Sequence, residues 1–164
     1  MKRWIITLVV AACLPLTSLA QHPKQFLQAE LVKTVKAKTA KEGDPVKARA
    51  VNALVLPGGV SIKQGDILLG QVRTVDAKSL SISFEQLEQN GKTKPLPLSI
   101  RAAMLPSGPQ NNVDGVAAQA GSVIGMPGVT LAVDDTPQHA SKFESSGKEL
   151  QLKAGLQFML AMPE

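Results

Sequence analysis

The sequence predicts an all-β fold, a small antiparallel β-barrel or sandwich with one long flexible loop. Apolar residues recur mostly at every second position, which is typical of strands with one buried face. Short segments with this pattern are separated by turn-forming Gly, Pro, Asn and Asp residues. Closely spaced strands and turns favour a barrel or sandwich over alternating strand and helix units.

The clearest element is a hairpin centred on the turn at residues 89–92, Gln-Asn-Gly-Lys. Before the turn, residues 79–85 alternate apolar and polar side chains, and residues 95–104 do the same after it. Asn and Gly tolerate the positive φ angles that a tight hairpin turn needs. Pro95 and Pro97 have no amide hydrogen, so their part of the strand is expected at an edge or a strand start.

Other strands are predicted from the same alternation at residues 27–35, 46–50, 67–75, 129–133 and 149–162, the last closing the domain. Gly70 lies inside one of these strands and is a candidate for a bulge or a close crossing. Residues 134–148 are predicted to form a polar connection. The expected core contains Leu80, Ile82, Phe84, Leu98, Ile100, Leu156, Phe158 and Leu160.

Residues 105–128 show neither a strand period nor a helix period and carry a single charge, Asp114. The stretch is rich in Gly, Pro, Asn, Gln and Ala, and it is predicted to be a flexible loop. A sharper alternative is that the small, mildly apolar residues 113–124 become ordered against a partner or a membrane.

The N-terminus has the three parts of a secretory signal. Lys2 and Arg3 are positively charged, residues 4–16 are apolar, and Ser18-Leu19-Ala20 places small residues where a signal peptidase cleaves. We therefore expect residues 1–20 to be a signal peptide and residues 21–164 to be a single β-rich domain. The mature protein is then expected in the periplasm or outside the cell.

A competing interpretation is that the protein is a lipoprotein. Residues 10–13, Val-Ala-Ala-Cys, resemble a lipobox, in which Cys13 would be acylated and would become the first residue. Membrane association is expected only in that case. If cleavage follows Ala20 instead, the only Cys is removed, and the mature protein has no disulfide and no thiol nucleophile.

Charge and aromatic content narrow the possible partners. The formal net charge of +5 falls to +3 when Lys2 and Arg3 are removed. The chain has no Tyr, and its one Trp lies in the signal, which leaves Phe26, Phe84, Phe143 and Phe158. Sugars and unpaired bases bind on exposed aromatic rings, so nucleic acid is not expected as a partner.

A series of short motifs spans most of residues 28–158. It comprises Ala29-Glu30-Leu31, Glu42-Gly43-Asp44-Pro45-Val46, Gly65, Leu69-Gly70-Gln71-Val72, Ile82-Ser83-Phe84, Pro97-Leu98, Ile100-Arg101-Ala102, Ser146-Gly147-Lys148-Glu149-Leu150 and Leu156-Gln157-Phe158. In this order the motifs resemble a group of small secreted proteins of soil bacteria such as Acidobacteria, which have no assigned activity. The resemblance implies an exported β-domain.

A second resemblance covers residues 56–100. A glycine before an apolar strand, then a strand, a turn and a Pro-Leu strand, is similar to the C-terminal β-barrel of TrbI-like components of conjugal-transfer and type IV secretion channels. This resemblance implies a β-barrel. It leaves open that the protein is a subunit of an envelope channel, because a shared fold does not by itself transfer a function.

The sequence offers little catalytic chemistry. The chain has two His residues, His22 next to the predicted cleavage point and His139. Asp134, Asp135 and His139 allow a metal-dependent or hydrolase-like loop as an alternative, although they lack the spacing of known metal sites. The sequence contains neither a Gly-x-Ser-x-Gly nucleophile motif nor a phosphate-binding loop. We therefore predict a protein that is not an enzyme and has no cofactor.

The main charge feature is a basic run with Glu42 and Asp44 among its members. The run consists of Lys33, Lys36, Lys38, Lys41, Lys47 and Arg49. It is interpreted as a solvated face, with weak attraction to anionic envelope surfaces as the alternative. The leading hypothesis is a non-enzymatic binding or assembly module of the bacterial cell envelope, whose partner is an unidentified envelope protein or surface component.

Overall fold

The computed structural model describes residues 26–106, 121–133 and 140–163. Within these ranges the regular elements are all strands. They are β1 (Leu27–Leu31), β2 (Val35–Lys36), β3 (Pro45–Ala50), β4 (Leu54–Val55), β5 (Ser61–Ile62), β6 (Ile67–Asp76), β7 (Ser79–Gln89), β8 (Lys92–Met104), β9 (Ser122–Ile124), β10 (Val129–Val133), β11 (Ser141–Ser145), β12 (Gln151–Leu152) and β13 (Gln157–Ala161).

Six strands form a closed antiparallel barrel in the order β7, β6, β3, β1, β13 and β8, with β8 pairing back to β7. The predicted all-β fold is confirmed, and it is a barrel rather than a sandwich. β13 lies between β1 and β8, so the C-terminal segment closes the domain as expected. The β10–β11 hairpin extends the sheet beyond β7, and β9 pairs in parallel with β8.

The barrel interior holds the predicted core. All eight predicted core residues are at most 1% exposed, because their positions alternate inward along β7, β8 and the segment from Leu156 through β13. The ring of Phe158 contacts both Phe84 and Phe143, with centroid separations of 5.9 and 6.2 Å. Tilted aromatic pairs at this distance add to the stabilisation from burial.

The predicted turns take the expected backbone conformations. In the β7–β8 hairpin, Asn90 and Gly91 have φ angles of 51° and 72°, as a two-residue turn with positive φ at both positions requires. Gly70 lies at a register shift between β6 and β7, which confirms both a bulge and a close crossing. β8 pairs with β13 from Ser99 onward, so Pro95 and Pro97 precede this pairing.

β11 and the barrel meet at a seam between β7 and β8. The β7–β8 pairing extends from the hairpin turn to Phe84 and Leu98, and beyond that point β11 pairs with β7 instead. Ser141 of β11 is fully buried there. Its Oγ accepts a hydrogen bond from the Ile100 N–H at 3.1 Å and donates one to the Ile100 carbonyl at 3.2 Å. The Ser141 side chain therefore satisfies the Ile100 N–H and carbonyl at a point where β8 no longer pairs with β7.

The structure corrects three sequence predictions. Residues 134–148 are not simply a polar connection, since β11 lies within them and buries Phe143. The loop predicted at residues 105–128 contains β9, which is paired with β8. The first predicted strand, residues 27–35, is divided into β1 and β2, and β2 pairs with β12 outside the barrel sheet. Each departure involves a segment of five residues or fewer, where alternation is too short to detect.

Several predictions lie outside the described residues. The signal peptide at residues 1–20, with Cys13 and Ala20, is one of them. Residues 107–120, the larger part of the predicted loop, are another. Among the described residues, no helix is long and apolar enough to cross a membrane.

Candidate functional site

Three residues of the basic run come together in the structure. All six members of the run are exposed, and Lys33, Lys36 and Lys47 line one cleft of about 380 Å³. We call this cleft the lysine cleft. Thr34 and Thr39 contribute hydroxyl groups to its lining. The three lysines come from different segments, namely the chain after β1, β2 and β3.

Backbone hydrogen bonds hold the walls of the lysine cleft in place. β2 pairs with β12, and the Ala37 N–H donates to the Leu150 carbonyl at 3.0 Å. The Ala40 N–H donates to the Lys36 carbonyl at 2.9 Å, which closes a turn beside the cleft. On the other wall, the Val72 N–H donates to the Asp44 carbonyl at 3.0 Å. The lysines therefore project from a fixed frame.

The electrostatics of the lysine cleft favour an anion. Asp44 is the acidic residue in the lining, and its Oδ2 accepts a hydrogen bond from the Lys41 N–H at 2.8 Å. Within the described part of the chain, the ammonium groups of Lys33, Lys36 and Lys47 form no ion pair. A concave surface with an excess of one charge concentrates counter-ions from solution.

The other members of the basic run lie outside the lysine cleft. Arg49 faces Glu30 on the neighbouring strand, with 3.4 Å between Nη1 and Oε1, and both side chains are at least 36% exposed. An exposed pair of this kind contributes little to stability. Lys38 and Lys41 are exposed and do not line the cleft. The predicted run therefore divides into a cleft and a solvated remainder.

A second cleft, of about 350 Å³, was not predicted from the sequence. Its lining includes the turn residues Gly58 and Gly59 together with Lys63, Asp66, Gln89 and Lys94. We call it the turn cleft. The sequence predicts the turn around Asn90, but the meeting of this turn with Gly58 and Gly59 depends on the strand order of the barrel, which no local pattern specifies.

A polar network covers part of the outer face of β6 and β7. Arg73 forms an ion pair with Glu85, and Arg73 Nε donates to Ser83 Oγ at 2.8 Å. The Ser83 hydroxyl donates to Glu85 Oε1 at 3.2 Å. Because these groups satisfy one another, the network stabilises the sheet and does not present a free nucleophile with a base.

The sequence leaves open a metal-dependent or hydrolase-like loop as an alternative function. Asp134, Asp135 and His139 lie outside the described residues. In the described ranges, no group of three or more His, Cys, Asp or Glu side chains is placed to hold a metal ion.

Comparison with known proteins identifies no relative. No protein-family model, curated protein or solved structure matches this chain.

Proposed function

We propose that the protein is a non-enzymatic, exported binding module of the bacterial cell envelope, and that its lysine cleft binds an anionic group of an envelope polymer. The supporting observation is the convergence of Lys33, Lys36 and Lys47 from three segments into one cleft. Phosphate and carboxylate groups share the chemistry that such a cleft recognises.

Binding through charge and hydrogen bonds suits the composition of the cleft. Each ammonium group provides three donors, and the hydroxyls of Thr34 and Thr39 add further donors. Thr34 Oγ1 already accepts a hydrogen bond from the Ala154 N–H at 3.0 Å, so its own hydrogen remains able to point at a ligand. Attraction of this kind weakens as ionic strength rises.

Two observations favour a polymer over a stacked sugar or a bilayer. Of the four described Phe residues, Phe84, Phe143 and Phe158 are fully buried and Phe26 is half-buried, so none is a fully exposed ring for stacking. Large exposed apolar side chains on the described surface are Val32, Val55 and Ile124, which belong to three separate segments. Insertion into a membrane interface needs a larger continuous apolar face.

The test compares two triple variants that remove the same charge. Lys33→Gln/Lys36→Gln/Lys47→Gln empties the lysine cleft of ammonium groups, whereas Lys38→Gln/Lys41→Gln/Lys78→Gln removes exposed lysines outside it. The ligands are polyphosphate and polyglutamate at an ionic strength of about 0.15 M, where charges more than about 8 Å apart are largely screened. Exposed charge contacts contribute up to about 1 kcal/mol each, so we expect the affinity of the lysine cleft itself to fall on the order of tenfold to hundredfold in the cleft variant.

The control variant is expected to bind within about threefold of the unmodified protein, as a change in net charge alone acts weakly in salt. Equal losses in the two variants would contradict the proposal, because net charge would then explain binding. Binding restricted to vesicles of phosphatidylglycerol, with no affinity for either polymer, would also contradict it.

A further inference from the structure

We infer that the turn cleft is a second anion-binding site, so that one molecule joins two anionic polymers. The inference rests on the proposed function of the lysine cleft, because bridging needs both sites. The turn cleft by itself is independent of that function, since it is built from other residues.

The walls of the turn cleft are fixed by side-chain hydrogen bonds. Gln89 Nε2, at the end of β7, donates to the Ser61 carbonyl of β5 at 2.8 Å and to Asp66 Oδ2 at 2.5 Å. The Lys63 N–H donates to the same Asp66 oxygen at 2.7 Å. A single glutamine thus connects β5, β7 and the turn before β6. Contacts between three segments therefore hold the walls of the cleft together.

The net charge of the turn-cleft lining is positive, which favours binding of an anion. The acidic residue in its lining is Asp66, and its carboxylate already accepts two hydrogen bonds. In the described ranges, the ammonium groups of Lys63 and Lys94 make no ion pair or hydrogen bond. Lys63 and Lys94 come from the β5–β6 connection and from β8, so the barrel brings them to one place.

The two clefts lie at opposite ends of β3. Pro45, Val46 and Lys47 at its beginning line the lysine cleft. At its end, the Ala50 N–H donates to the carbonyl of Asp66, which lines the turn cleft, at 2.8 Å. A strand rises about 3.3 Å per residue, so the β3 residues that line the lysine cleft lie roughly 10 to 17 Å along the strand from Ala50. One small anion cannot contact both sites, and each takes its own ligand.

Calorimetric titration with inorganic tripolyphosphate at low ionic strength tests this inference by stoichiometry. The unmodified protein is expected to bind two equivalents. Lys63→Gln/Lys94→Gln should retain one equivalent, held at the lysine cleft, and Lys33→Gln/Lys36→Gln/Lys47→Gln should retain one, held at the turn cleft. Lys78→Gln/Lys92→Gln removes two exposed lysines that line neither cleft and should retain both equivalents.

The pattern of stoichiometries separates the two proposals. A single equivalent in the unmodified protein that persists in Lys63→Gln/Lys94→Gln overturns this inference and leaves the lysine cleft supported. A single equivalent that disappears in that variant overturns the proposed function, and bridging with it, and leaves the turn cleft as an isolated anion site.

Bridging itself is measured by a capture assay. Immobilised polyphosphate binds the protein, and labelled polyphosphate is then added. The unmodified protein should capture the labelled polymer, while each cleft variant should bind one polymer and capture no second one. Light scattering reports the oligomeric state during capture. Capture that requires a dimer with one site in each copy would overturn the inference.

Discussion

Gly70 shows how one residue determines the approach of two strands. A Cβ atom at this position would lie 2.2 Å from the Ser83 carbonyl oxygen and 2.8 Å from Phe84 Cδ1. The first of these is a backbone atom of the adjacent strand, so it cannot move without displacing β7. Hydrogen is therefore the only side chain that fits the bulge between β6 and β7.

We predict that Gly70→Ala destabilises the protein by about 1 to 3 kcal/mol, the usual cost of overpacking. Urea unfolding measures the change. Gly147→Ala is the matched control, because a Cβ there meets nothing within 4 Å, and we expect its stability to be unchanged or raised by up to ~1 kcal/mol. Equal stability of the two alanine variants would show that the close crossing is absent.

Where the strands are long, the alternation in the sequence correctly predicted which apolar side chains are buried. The serines of β7 alternate with Leu80, Ile82 and Phe84, and these three apolar residues are buried as predicted. Alternation did not predict that Ser83 is also almost fully buried. Its burial depends on the Arg73 side chain from β6, a neighbour that only the pairing of strands supplies.

At the scale of elements, β11 is the strand that sequence reasoning missed. Phe143 is its one large apolar side chain. Ser141 is fully buried, although a serine in a polar stretch is expected on the surface. The burial is possible because Ser141 exchanges two hydrogen bonds with the Ile100 backbone. A contact between residues this far apart in the chain leaves no local signal.

We predict that Ser141→Ala destabilises the protein by about 1 to 3 kcal/mol per backbone group left without a partner. Hydrogen exchange provides the specific measurement, since the Ile100 amide should exchange faster in the variant. Ser61→Ala, on an exposed position of β5, should change neither stability nor exchange at Ile100. A slow Ile100 amide in Ser141→Ala would contradict the seam described for β8 and β11.

At the scale of the whole molecule, the strand order of the barrel brings residues of separate turns and strands together in two clefts lined by lysines. The sequence predicted the all-β class and the basic run, because alternation, turn residues and charge are local properties. It did not predict which lysines meet, since the pairing of β1 with β3 brings the Lys33 segment beside Lys47 and the pairing of β2 with β12 fixes the position of Lys36. The turn cleft was missed for the same reason: Lys63 and Lys94 are brought together by the β6–β7–β8 order.

The most direct test of the account is a titration of the isotope-labelled protein with tripolyphosphate, followed by NMR amide shifts. We expect the shifts to concentrate at two places, around Lys33, Lys36 and Lys47 and around Lys63 and Lys94, with little change at the centre of the barrel near Phe158. Shifts spread evenly over all exposed lysines, or confined to residues outside both clefts, would contradict the account.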